Sequence, residues 1–268
     1  MNLEGARIVL RTRTPSEIFD LAIRFCASLA LPLYLRLAAI VLVPCMLATG
    51  GFHHYFGEGD WTATWAFAAA LAALAQGVFT VAASRLLFDS RPRVGPILWH
   101  TFKRSPALLG ALLMHGVMLA LGLFVVVGSF LVWIWHTFLY EAVLLEQQGP
   151  GAAIARAGAL LKRRFGAGLM VCSGSAAIVG LFVACSEALG QGLFDFVLQL
   201  GKPFGEFDLD EGNGTPFMVI GFFASLPLVA TARFLSYIDG RTRQDGWDIQ
   251  LRFMSVAAGH DARPGGDE

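Results

Sequence analysis

Residues 105–145 read SPALLGALLMHGVMLALGLFVVVGSFLVWIWHTFLYEAVLL, and the number of times this stretch crosses a membrane decides the fold. Between Arg104 and Arg156 the only charged residues are Glu141 and Glu146. At about 1.5 Å per residue, about 20 apolar residues cross a hydrocarbon core of about 30 Å. The stretch therefore makes either one very long helix or two ordinary ones, with Gly122 and Gly128 bracketing the tight turn that two would need. Flanking charge decides between them, because Lys and Arg beside membrane spans stay on the cytoplasmic side.

Other apolar runs lie at about 33–53, 62–84, 167–188 and 216–237, and a middle hairpin adds 106–125 and 128–147. Arg7, Arg11, Arg13, Arg24 and Arg36 then precede or open the first span, and Arg85, Arg91, Arg93, Lys103 and Arg104 separate the second from the third. Arg156, Lys162, Arg163 and Arg164 follow the fourth, and Arg233, Arg241, Arg243, Arg252 and Arg263 lie in or after the last turn of the sixth. Nineteen of the 20 basic residues share one side, leaving Lys202 opposite, in a segment with Glu206, Asp208, Asp210 and Glu211. A single middle helix would send nine of them to the wrong side. The expected architecture is an all-α polytopic membrane bundle of six transmembrane helices, in the inner (cytoplasmic) membrane of a bacterium, with both termini cytoplasmic. Residues 1–32 form a cytoplasmic N-terminus with an interfacial helix, 33–238 the membrane domain, and 239–268 a cytoplasmic tail.

Composition agrees. Hydrophobic residues make up 56% and charged residues 15%, against about 45–50% and about 25% in soluble domains, and the mean hydropathy is +0.61. The formal net charge is zero, so no basic field recruits nucleic acid. More than thirty residues, including Glu4, Glu17 and Asp20, precede the first apolar run, which argues against a cleaved signal peptide. Cys26, Cys45, Cys172 and Cys185 lie singly in apolar segments without CxxC spacing and read as small hydrophobes.

Each pair of spans is introduced by an amphipathic segment on the basic side. Thr14-Pro15-Ser16-Glu17 is a helix start with a capping box, followed at helical spacing by Ile18, Leu21, Ala22, Phe25 and Leu29. The second unit opens Gly95-Pro96 and ends Lys103-Arg104, and the third opens Gly149-Pro150 and ends Lys162-Arg163-Arg164. Such helices are expected to lie flat at the headgroups as anchors or lipid sensors. Small residues recur every fourth position at Ala176, Gly180, Ala184, Ala188 and Gly192, and at Ala69, Ala73 and Gly77. They read as helix contacts within the bundle, with a homodimer seam as the alternative.

Ionisable groups inside a membrane are costly, which makes each a candidate site. His115, His136 and Glu141 fall in the middle hairpin, Arg233 in the last span, and Glu187 near the outer end of the fifth. On one continuous helix, His136 and Glu141 are about 500° apart in rotation and point about 140° away from each other. His53-His54 and His100 lack metal-ligand spacing, and the acidic loop Glu206–Glu211 lacks the glycine and terminal glutamate of an EF-hand. No metal or cofactor is expected. No P-loop, GxGxxG or GxSxG occurs.

Beyond the sixth span the tail runs Tyr237-Ile238-Asp239-Gly240-Arg241-Thr242-Arg243-Gln244-Asp245-Gly246-Trp247-Asp248-Ile249. Its alternating charges read as a stop-transfer clamp, or as a surface that docks either a cytoplasmic partner or the loop containing Glu146. Together with Arg13–Asp20 and with Glu146 followed by Gly149-Pro150 and the amphipathic Ala152–Arg164, this tail resembles the bacterial family named for the membrane domain of glycerophosphoryl diester phosphodiesterase, related to the YciC-like membrane proteins. The resemblance spans nearly the whole chain and implies the membrane domain without its catalytic barrel, which alone takes about 250 residues. It therefore implies no phosphodiester hydrolysis and no enzyme.

Two functions follow as expectations. The first is a non-catalytic scaffold or accessory subunit acting on lipid or a membrane partner, with Glu146, Asp239, Arg241, Arg243, Asp245 and Asp248 as its docking motif. The alternative is a small transporter or lipid-binding carrier, which requires His115, His136, Glu141 and Arg233 to line one polar cavity beside discontinuous helices near the midplane.

Overall fold

The computed structural model describes residues 13–56, 61–89, 92–125, 127–162, 164–201 and 214–244. Among them the chain is helical and contains no strand. Five helices are long and apolar enough to cross a membrane, which is the architecture of a multi-pass membrane protein.

The first helical run is Pro15–Phe56, 42 residues long. It comprises α1 (Pro15–Arg24), α2 (Leu31–Leu37) and α3 (Val43–Phe56), joined by π turns at Phe25–Ala30 and Ala38–Leu42. The capping box is present: the Thr14 hydroxyl accepts from the Glu17 N–H, and the Thr14 N–H donates to Glu17 Oε2 at 2.9 Å. The amphipathic start differs from expectation, because it continues straight into the first span. Ile18, Ala22 and Phe25 are buried because α1 packs against the last helix.

Helix α4 (Trp61–Phe88) returns, and α5 (Val94–Gly122) fuses the second amphipathic segment with the third span into 29 residues. Pro106 leaves the carbonyl of Phe102 without its helical donor; the Ser105 hydroxyl supplies one at 2.8 Å, so the helix continues. The turn falls where the glycines put it. A Cβ on Gly122 would lie 2.7 Å from the Ser129 nitrogen, and one on Gly128 would lie 3.1 Å from Gly122 Cα.

The return passage is not one helix. It consists of α6 (Gly128–Trp135) and α7 (Leu139–Leu144), with a break at 136–138. The expected fourth span at 128–147 is therefore two short pieces, and neither crosses a membrane by itself. The pieces still run back along α5: Ser129 Oγ donates to the Leu119 carbonyl at 3.0 Å near one end, and His100 Nε2 lies 3.0 Å from the Leu144 carbonyl at the other. Helix α8 (Pro150–Leu161) is the one amphipathic segment that stands alone. It buries Ala153, Ala157 and Leu161 against its neighbours, and Gly158 admits the Trp135 indole.

Helix α9 (Phe165–Gly192), extended by a π turn through Val197, and α10 (Pro216–Gln244) form the broadest helix contact. They come close at Gly221, which packs on the backbone of Phe182 and Val183. The small-residue stripe of α9 does not make this contact. Ala176, Gly180, Ala184 and Ala188 are exposed on another face, which corrects its assignment to packing within the bundle. Gly77 of α4 does pack tightly, since a Cβ there would lie 3.1 Å from Leu108 and 3.2 Å from Leu144.

Gly122→Ala is expected to lower stability by about 1–3 kcal/mol through overpacking at the turn, whereas Gly116→Ala, with open space at its Cβ, leaves it unchanged or raised. Thermal unfolding of both variants in one detergent checks this. Equal midpoints for the two would contradict the turn geometry.

Candidate functional site

Helices α4, α5, α6, α9 and α10 contact one another in sequence and close a ring. Across it, α4 and α9 are not among the closely packed pairs, and a cavity of about 700 Å³ lies between them. Ala69, Ala72 and Ala73 line it from α4 and Ala176 and Gly180 from α9, so these small residues make room. Trp133, Phe222 and Leu226 add apolar surface.

Arg233 stands on the cavity wall. Its Nη1 donates to Gln76 Oε1 at 3.2 Å, and its Nη2 donates to the Thr137 carbonyl and reaches Glu141 Oε2 at 3.5 Å. The guanidinium carbon lies 4.5 Å from the Tyr140 ring centroid, a cation–π contact. Glu141 is fully buried and lies outside the cavity lining, behind the arginine. Arg233 Nε, Glu141 Oε1 and Ser175 Oγ are buried without a hydrogen-bond partner.

The break between α6 and α7 gives this site its carbonyl. Short-range bonds run from the Thr137 N–H to the Ile134 carbonyl and from the Leu139 N–H to the His136 carbonyl. The Thr137 carbonyl is left to receive Arg233, as irregular backbone at membrane depth requires. Thr137 Oγ1 also lies 3.0 Å from Cys172 Sγ. The chain is not one continuous helix here, so the divergence of about 140° expected on one helix does not apply, yet His136 and Glu141 take different partners. His136 lines the cavity with Arg233 while Glu141 pairs with the same guanidinium.

His115 and His136 meet Nδ1 to Nδ1 at 2.8 Å. One nitrogen must donate and the other accept, so at least one ring is neutral and the pair holds a single proton between its two Nδ1 atoms. Three of the four residues expected to line one cavity, His115, His136 and Arg233, do so; Glu141 instead pairs with Arg233 from outside the lining. Gln76, Thr137, Tyr140, Cys172 and Ser175 were missed. Of these, only Gln76 carried a signal, as the lone amide in an alanine-rich span.

Three residues of the expected docking motif, Glu146, Asp239 and Arg241, engage other residues of the same chain. Glu146 takes Arg156 Nε at 2.8 Å, the Tyr237 hydroxyl at 2.7 Å and Arg241 Nη1 at 3.3 Å. Asp239 takes Arg164 Nη2 at 2.7 Å and the Arg13 N–H at 2.9 Å. Arg243 lies on the last turn of α10; Asp245, Asp248 and the acidic loop Glu206–Glu211 lie outside the described residues. Glu187 accepts from Thr215 and from Gln191 near the end of α9. His53 bonds Thr64 at 3.0 Å and stacks on Trp61. Among the described residues no three His, Cys, Asp or Glu side chains group around a metal position, and the four cysteines are free.

Compared with protein-family models, curated proteins and solved structures, the chain finds no match.

Removing Arg233 alone strands a buried carboxylate. Arg233→Met is expected to cost about 3–5 kcal/mol, and the double variant with Glu141→Leu less than the single one. A double-mutant cycle on thermal unfolding in detergent measures the coupling, and additive effects would contradict the pairing.

Proposed function

We propose that this chain is a non-catalytic carrier in the inner membrane of a bacterium, binding a lipophilic ligand from the bilayer in the cavity beside Arg233. The observation that carries this reading is the convergence of His115, His136 and Arg233 on one cavity at the helix break, with Glu141 paired to Arg233 from outside the lining. An arginine at lipid depth is expensive, and transporters place substrate sites where helices are interrupted near the midplane. The scaffold reading receives less support, since Glu146, Asp239 and Arg241 engage other residues of the same chain. The exposed stripe at Ala184 and Ala188 leaves a face for a second copy.

Taking α6 and α7 as one passage gives six crossings and puts both termini on the cytoplasmic side, in accord with the basic residues. The resemblance to the membrane-domain family fits a protein that binds without hydrolysing. Reporter fusions at the two termini are expected to give the same, cytoplasmic, signal. Opposite signals would leave five crossings and overturn this topology.

The carrier itself is tested by native mass spectrometry of protein extracted gently with its endogenous lipids. A stoichiometric lipophilic adduct is expected, diminished in Arg233→Gln. A stoichiometric second polypeptide without such an adduct would return the scaffold reading.

A further inference from the structure

A second cavity, also of about 700 Å³, lies beyond the Arg233 layer. Ser84 of α4, His100 of α5, Leu144 of α7 and Tyr237 of α10 line it, where Gln76, His115, Tyr140 and Arg233 of the same four helices line the first. One face of α4 and one face of α10 serve both. On α4, Ala69, Ala73 and Gln76 lead through the buried Thr80 to Ser84; on α10, Phe222, Leu226, Val229 and Arg233 lead to Tyr237 and Arg241.

The partition is thin. Tyr140 belongs to one cavity and Leu144 to the other, about 6 Å apart along a helix, or one turn. From Phe222 to Arg241 the two cavities occupy about 29 Å of helix, close to the roughly 30 Å of hydrocarbon a solute must cross.

The first cavity presents donors. Arg233 faces it while Glu141 stands behind, and the buried Arg233 Nε and Ser175 Oγ have no partner. An N–H and a hydroxyl together call for an acceptor, such as a carboxylate or phosphate oxygen. The walls at Ala72, Phe222 and Leu226 suit an apolar body, and the volume lies within the roughly 300–1,000 Å³ of small-molecule sites. Beyond the partition, Arg85 and Arg241 line the second cavity together with Asp89 and Glu146, so charges of both signs face it.

We propose that the two cavities are halves of one path, along which the protein carries a single-chain lipophilic anion across the membrane. This inference rests on the carrier reading. The guanidinium that would take the headgroup is the same group that ties the 136–138 break to α10 through the Thr137 carbonyl. An anion drawing Arg233 toward the cavity weakens that tie and its pairing with Glu141. The partition then opens where it is thinnest.

The test uses the full chain in phosphatidylcholine vesicles. These carry a fluorescent lysophosphatidate, a fluorescent N-acyl aspartate, or, as the zwitterionic control, a fluorescent lysophosphatidylcholine, and external dithionite reads the inner-leaflet pool. Both anionic probes are expected to leave the inner leaflet at least about tenfold faster than from empty vesicles, the factor that about 1.4 kcal/mol of headgroup recognition gives. Arg233→Gln is expected to abolish the gain. Ser175→Ala, whose hydroxyl has no partner to lose, is expected to reduce it without lowering the unfolding midpoint. Transfer of only one anionic probe would assign the headgroup, phosphate or carboxylate. Binding without transfer would overturn this inference and leave the carrier standing; loss of both binding and transfer would overturn both. Equal transfer of the zwitterion would overturn the anion assignment.

Discussion

An arginine buried among apolar helices must find its hydrogen bonds in protein, and the core of this bundle is arranged around that requirement at Arg233. Its partners come from three other elements: Gln76 of α4, the Thr137 carbonyl in the break and Glu141 of α7. Tyr140 covers the guanidinium face. Each of these groups alone would be costly in lipid, and here they pair with one another. Arg233 Nε and Glu141 Oε1 remain without a partner.

The same requirement explains why the return passage is broken. A continuous helix would close the Thr137 carbonyl into its own ladder and leave Arg233 with one acceptor fewer. Interruption at 136–138 releases that carbonyl and brings His136 onto His115. Small residues on α4 and α9 then keep the space in front of the arginine open. At the basic end, Glu146 and Asp239 gather Arg156, Arg164, Tyr237 and Arg241, fixing the return loop and α8 to the end of α10. The two ionic clusters thus hold α10 at two depths, with a second cavity between them.

Much of this was legible in the sequence where a local signal exists. The capping box at Thr14 and Glu17 and the Gly122–Gly128 turn follow from backbone chemistry that a few residues specify. The membrane helices follow from apolar length. The break at His136 was not legible: no Gly or Pro marks it, and the group that sustains it, Arg233, lies 96 residues away. Helical rotation therefore could not show that the break places His136 on His115 and Glu141 on Arg233. The Ala176–Ala188 stripe shows the same limit from the other side, since small-residue spacing is identical whether a face meets a helix or borders a cavity. Of the tail residues, Arg241 meets Glu146, the loop residue that the sequence offered as one of its partners, whereas the pairing of Asp239 with Arg164 carried no local signal.

The central claim is that the cavity before Arg233 is a ligand site, kept open by small residues and completed by an acceptor for the unpartnered donors. A high-resolution map of the protein in lipid nanodiscs prepared from its native membrane tests this most directly. The account predicts elongated density between α4 and α9 with its polar end within hydrogen-bond distance of Arg233 Nε and Ser175 Oγ. A bundle in which α4 packs directly on α9, with the cavity closed and Arg233 fully satisfied by protein, would contradict it.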